Sequence, residues 1–173
     1  MLTEPCPECR FDPSGHDPAA LASEIRRLGG RYAAPLTRGL PDEDLDAVVD
    51  ARPRPDAWSA LELAAHARDV LAVFDDRVRA ALDGTRPREP VVDWEGRVEA
   101  SAACREELAE EIATWATRLA DRLDDLGPTD WDRPGLTGRG GEVTVADLAV
   151  IALHEGHHHL LDIGRALRGA RGR

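Results

Sequence analysis

The sequence contains no lysine: all 22 basic residues are arginine, set against 33 acidic ones, for a net charge of −11. Acidic runs such as "PDEDLD" and "REELAEE" are spread along the chain, so no basic stripe exists to neutralise phosphates. That argues against a nucleic-acid partner and against an anionic membrane surface. Only the tail "RALRGARGR" is basic, and it is short enough to be a frayed end. No run of about 18 apolar residues is present, so no membrane span is expected. The start "MLTEPCPECR" lacks a basic region and an apolar stretch, so no secretion signal is expected and a cytoplasmic location is the default. Three cysteines do not make a disulfide framework. Aromatics make up only 4%, and alanine supplies much of the apolar content, which favours close-packed helices over a sheet sandwich. No Gly-x-Ser-x-Gly element offers a serine nucleophile, and "GRGG" (138–141) lacks the Lys-Ser/Thr of a phosphate loop.

What is present reads as helices. A chain of 173 residues suits one domain with a full core. Residues 1–16 carry Pro5, Pro7, Pro13 and Gly15 and are expected to be irregular. Asp17 is a good N-cap and Pro18 a good first helical residue. A helix is expected from there toward Arg38, weakened at Gly29-Gly30 by roughly 1 kcal/mol per glycine. "PDEDLDAVVD" suggests a short helix and "ARPRPDAW" a loop. Ser59 and Glu62 form a capping box that opens a second long helix, which stops at Asp83-Gly84. "TRPREPVVDWEGRVEA" reads as a long connection. Leu108, Ile112, Trp115, Leu119 and Leu126 recur at helical spacing in a third long helix, from about Ala102 to Leu126. "RPGLTGRGGEV" reads as a turn or small hairpin. A fourth helix opens at Thr144, capped with Asp147, and runs to about Arg168. Four helices with a long crossover between the second and third predict an all-α four-helix bundle over 17–168, with an irregular extension (1–16) and a basic tail (169–173).

The chemistry concentrates in "HEGHHHLL" (154–161), which holds four of the six histidines. At about 100° per residue, His154 and His158 lie one helical turn apart, a spacing that can place two imidazole nitrogens on one divalent ion. His157 sits at the margin of that pair, and His159 lies about 140° away from His154. "HEGHH" also matches the His-Glu-x-x-His of zinc proteases, but few residues follow it and no edge strand for a substrate is predicted. A solvated polar face is the plainer alternative. Against it, Leu148, Leu153, Leu160, Ile163 and Leu167 make the remaining surface largely apolar, so the polar arc is expected to line a cleft. The candidate third ligand is His66, which shares a face of the second helix with Leu63, Val70, Val73 and Phe74. Alone, it would read as a core histidine satisfied by one hydrogen bond. Asp162, one turn beyond His158, and Asp69, three residues after His66, could each accept the distal imidazole N–H of a ligand.

"CPECRFDPSGH" opens further possibilities. Cys6 and Cys9 have the knuckle spacing of zinc sites. Such a site needs two more ligands, and His16, His157 or His159 are candidates if the segment folds over the fourth helix. Alternatively, a cysteine reaches the histidine-bound metal and fills its open position. A redox dithiol or free thiols are the remaining readings.

Two stretches, "WSALELAAHARDV" (58–70) and "LHEGHHHLLDIGR" (153–165), resemble the DinB-like superfamily, also called the DinB/YfiT-like putative metalloenzymes. The resemblance covers about residues 17–168, and the amino-terminal cysteines are a departure from its plain pattern. It implies an up-down-down-up bundle and a divalent metal, zinc or nickel, on three histidines: His66, His154 and His158. It also implies a homodimer and a small-molecule substrate. Members include S-transferases and isomerases that use mycothiol, bacillithiol or glutathione, so a metal-dependent transferase with a low-molecular-weight thiol is the first expectation. A metal-dependent hydrolase is one alternative. A non-catalytic, stress-associated protein with a structural zinc is the other.

Overall fold

A computed structural model describes residues 4–85, 104–137 and 140–172. Residues 4–17 contain no helix or strand. The first long helix, α1 (Pro18–Arg31), begins where the Asp17 carboxylate accepts the Ala19 N–H at 3.0 Å. It ends at Tyr32, short of the expected Arg38, and a separate turn, α2 (Ala33–Thr37), follows. The glycine pair stays helical. The break falls at Tyr32, whose side chain is wholly buried and donates its hydroxyl to the Gly156 carbonyl at 2.6 Å. Burial drives that hydroxyl's pKa far upward, so it remains a donor. Short α3 (Leu45–Asp50) is capped by Asp44.

The second long helix, α4 (Ala60–Asp83), opens with the predicted capping box. Glu62 N–H donates to Ser59 Oγ at 3.1 Å, and Ser59 N–H donates to Glu62 Oε2 at 2.8 Å. It closes at Gly84, whose φ of 64° is left-handed and suits glycine. The expected crossover lies mostly within 86–103, outside the described residues. The third long helix, α5 (Arg105–Asp124), is shorter than the predicted 102–126. The hairpin is present as β1 (Pro134–Leu136) antiparallel to β2 (Glu142–Thr144), with Gly135 opposite Val143. It leads into α6 (Val145–Ala170), where Thr144 and Asp147 form a second reciprocal capping box.

Cross-helix pairs give the directions. Arg68 and Asp75 on α4 meet Glu111 and Arg122 on α5, so these helices run parallel. Arg26 of α1 meets Asp121 and Asp124 of α5, while Gly29, one turn on, lies against Ala116 and Ala113, so α1 opposes α5. Arg133, just before the hairpin, donates to the Leu82 carbonyl, which puts the start of α6 at the end of α4. The result is an up-down-down-up four-helix bundle, in the order α1-α5-α4-α6 around its axis. Its core is Leu21, Ile25, Leu28, Leu71, Phe74, Leu108, Ile112, Leu119, Leu148 and Leu153, with many alanines between them. One carboxylate, Asp75, is buried among them. Arg122 and Arg118, at 2.8 Å and 3.1 Å, compensate its charge.

Two features position the histidine-rich segment. Gly156 faces Leu28, and a Cβ there would come within 2.5 Å of Leu28 Cδ2. Glycine therefore lets α1 and α6 pack closely in the middle of the histidine run. Trp58, Trp115 and Trp131 pack half-buried against the core, as anchors. Trp94 lies outside the described residues. Among the described residues, no helix is long and apolar enough to cross a membrane.

Candidate metal centre

Helix α6 sends its histidines in two directions. His154 is buried at 7% exposure, and His158 lies one turn on, with ring centroids 5.6 Å apart. His159 turns the other way, edge-on to His66 of α4 at 4.6 Å. This is the division that the helical angles predict.

The amino-terminal segment lies over the His154–His158 face. Cys6 begins a tight turn: its N–H donates to the Phe11 carbonyl, and its carbonyl accepts from Arg10 N–H, both at 2.8 Å. Arg10 closes the turn at a φ of 59°. Phe11 then packs half-buried beside His154 and His157, at ring distances of 5.4 Å and 5.9 Å. Arg165 of α6 donates to the Glu8 carbonyl at 2.8 Å. His16 is occupied elsewhere, with Nδ1 on Glu24 at 3.2 Å and Nε2 on the Asp12 carbonyl at 2.9 Å. It anchors the segment to α1.

The result is a four-donor cluster. One ligand atom each from Cys6, Cys9, His154 and His158 lies within 4.8 Å of the others, and no other such group occurs among the described residues. Cys6 Sγ is 3.7 Å from His158 Nδ1. Two ligands on a tetrahedral zinc, at about 2.3 Å for sulfur and about 2.0 Å for nitrogen, would sit roughly 3.5 Å apart. His154 Nε2 is buried and has no hydrogen-bond partner, which is the condition of a nitrogen awaiting an ion.

The other nitrogens are held as metal ligands require. His154 Nδ1 faces Glu155 Oε1 at 3.2 Å, and His158 Nε2 faces Asp162 Oδ2 at 3.3 Å and Glu8 Oε2 at 3.4 Å. The Cys9 backbone N–H, with the His154 ring close by, brings the Cys6 thiol down to about 6. Burial pushes the Cys9 thiol up. The residues present therefore fit a soft divalent ion such as zinc.

The remaining predicted residues fall outside this cluster. His66 is 4% exposed, beside Trp58 and His159, and burial pulls its pKa down to about 4. Asp69 accepts from Arg68 Nε at 2.8 Å and adds a favourable charge near His66. His157 packs on Phe11, and burial, with Arg31, lowers its pKa. Cys104 is exposed at the start of α5, with its sulfur on Glu106.

Sequence reasoning gave Glu155 no part in the site beyond the polar arc of α6 and the His-Glu-x-x-His match. In the structure it joins the two histidine groups, through His154 at 3.2 Å and His159 Nε2 at 3.5 Å. Burial opposes its charge, but these two imidazoles hold its pKa well below the usual carboxylate range. The available signal was positional: Glu155 adjoins His154 and sits four residues before His159.

Comparison with known proteins agrees with this architecture. The family model of the DinB superfamily matches residues 27–163. The chain belongs to the DinB superfamily. A solved structure, YfiT from Bacillus subtilis, superposes with a TM-score of 0.76 at 13% identity, covering 92% of this chain and 91% of that one. It is described as a probable metal-dependent hydrolase with an unusual four-helix bundle topology. Curated proteins yield no match. The matched region begins after Cys6 and Cys9, so the family match does not extend to the two sulfur donors.

Proposed function

We propose that this DinB-superfamily chain is a divalent-metal-binding protein in which Cys6, Cys9, His154 and His158 hold the ion, zinc by the donor set. The observation that carries this reading is the four-donor cluster with its one unpartnered buried nitrogen, His154 Nε2. Four protein donors complete a tetrahedral shell, the pattern of structural zinc, whereas catalytic zinc keeps one position open. The ion then fastens residues 4–17 onto α6. That is the non-catalytic alternative among the expectations, and it gives the amino-terminal cysteines a purpose.

A second reading keeps the three imidazoles His66, His154 and His158 as the ligand set. Its support is His66 itself, buried and held in the neutral form that a ligand requires. Bound there, an ion with an open position would acidify a thiol or a water. A thiol such as mycothiol would make the protein a cytoplasmic S-transferase or isomerase acting on a small molecule, as a homodimer. Water would make it a hydrolase, as YfiT is described.

Metal analysis of purified, reduced protein separates the two readings. Cys6→Ala is expected to lose stoichiometric metal while His66→Ala retains it. The inverse result would establish the three-histidine set.

A further inference from the structure

We infer that Cys6 and Cys9 form a peroxide-sensitive clasp, in which oxidation to a disulfide expels the metal and releases residues 4–17 from α6. The inference rests on the four-donor reading above.

Geometry carries it. Both sulfurs belong to one tight turn, closed by the Cys6–Phe11 and Arg10–Cys6 backbone hydrogen bonds, and both lie within the same 4.8 Å cluster. Cys-x-x-Cys is the spacing of the dithiols that disulfide oxidoreductases use. Cys9 is partly exposed, so a small hydroperoxide can reach its sulfur. The third thiol, Cys104, is engaged with Glu106 and takes no part.

The chemistry balances. One cysteine thiolate attacks a peroxide oxygen and breaks the O–O bond. With one proton, the departing oxygen leaves as water, and the sulfur becomes a sulfenic acid. The second thiolate attacks that sulfur, forms the S–S bond and displaces hydroxide, which takes a second proton to become water. The two thiolates lose two electrons together, and hydrogen peroxide is reduced to two waters. A disulfide is a poor ligand, so the ion keeps only His154 and His158 and dissociates.

The structural consequence follows from how the segment is held. It has no helix or strand of its own. Near the cysteines its ties are Arg165 on the Glu8 carbonyl, Glu8 on His158, and Phe11 against His154 and His157. Two of these depend on the ligand imidazoles. Farther along, His16 on Glu24 fastens it to α1. Loss of the ion leaves a short, weakly anchored strand of chain, the kind of segment that opens locally.

The test uses the full chain with Cys104→Ser, reduced and loaded with zinc. Zinc content before oxidation reads the underlying site: no bound zinc overturns the four-donor reading itself. Hydrogen peroxide is then titrated while a colorimetric chelator reports released zinc, a thiol reagent counts free cysteines, and mass spectrometry looks for a Cys6–Cys9 disulfide. The expected result is release of the zinc in step with loss of both thiols and appearance of the disulfide, reversed by a dithiol reductant. Protease cleavage within 4–17 should rise by about tenfold or more after oxidation. Zinc retained with both thiols intact at peroxide levels that oxidise a free Cys-x-x-Cys peptide would overturn the clasp. So would release without a disulfide, or an unchanged cleavage rate after release.

Discussion

His154 and His66 are both buried, at 7% and 4% exposure, and each has a second histidine ring within 6 Å. Their surroundings differ completely. His154 meets two thiols, a second imidazole and a carboxylate, and one of its nitrogens is left without a partner. His66 meets a tryptophan edge and His159 within the bundle. Glu155 raises the pKa of His154, while burial depresses that of His66. The same residue type therefore serves opposite ends, and what decides between them is which groups the neighbouring segments deliver. The amino-terminal turn delivers sulfur to one group and nothing to the other.

The sharpest way to break this contrast is to remove the sulfur. Cys6→Ala should cost metal affinity well beyond the roughly 10–100-fold of a supporting-residue change, read by competition with a chromophoric chelator. If affinity is unchanged, the two histidine groups are not divided by the cysteines.

The next largest effect concerns His66. Its folded pKa is about 4, below its ordinary 6.5, so folding disfavours its charged form. That stability is fully present above pH 6.5 and is lost as pH falls toward 4, by about 1.4 kcal/mol per unit and on the order of 3 kcal/mol in all. Metal-free protein should therefore show a melting temperature that falls across this window, and His66→Leu should flatten the slope. A slope that survives the substitution would assign it to other groups.

Asp162→Asn sharpens the metal side. Removing the carboxylate opposite His158 Nε2 should weaken metal binding by about 10–100-fold with little change in melting of the metal-free protein. The smallest expected effect tests the scaffold under both groups. Tyr32→Phe deletes the hydrogen bond to Gly156 and should cost about 1 kcal/mol, or roughly 2–4 °C in melting temperature.

Legibility in the sequence varied by feature. Both capping boxes, at Ser59–Glu62 and Thr144–Asp147, were readable because the partners are three residues apart and the bonds are local. The helix stop at Gly84 was readable for the same reason. The break at Tyr32 was missed although Pro35, which has no N–H for the Arg31 carbonyl, signals it locally; the Tyr32 anchor on Gly156, 124 residues away, was not readable. The angular split of the histidines on α6 was legible from period alone. That Cys6 and Cys9 lie over His154 and His158 was one of several open possibilities, because an irregular segment carries no period to say where it lands.

By itself, then, the sequence determined the four helices, their caps and the pairing of His154 with His158, all consequences of spacing within one segment. The tertiary structure decided which donors join that pair. It brought a turn from residues 6–10 and helix α6 together across some 150 residues, set His159 against His66, and left Glu155 between the two groups. Ligand sets of this kind depend on the packing of distant segments, and spacing along the chain does not encode it.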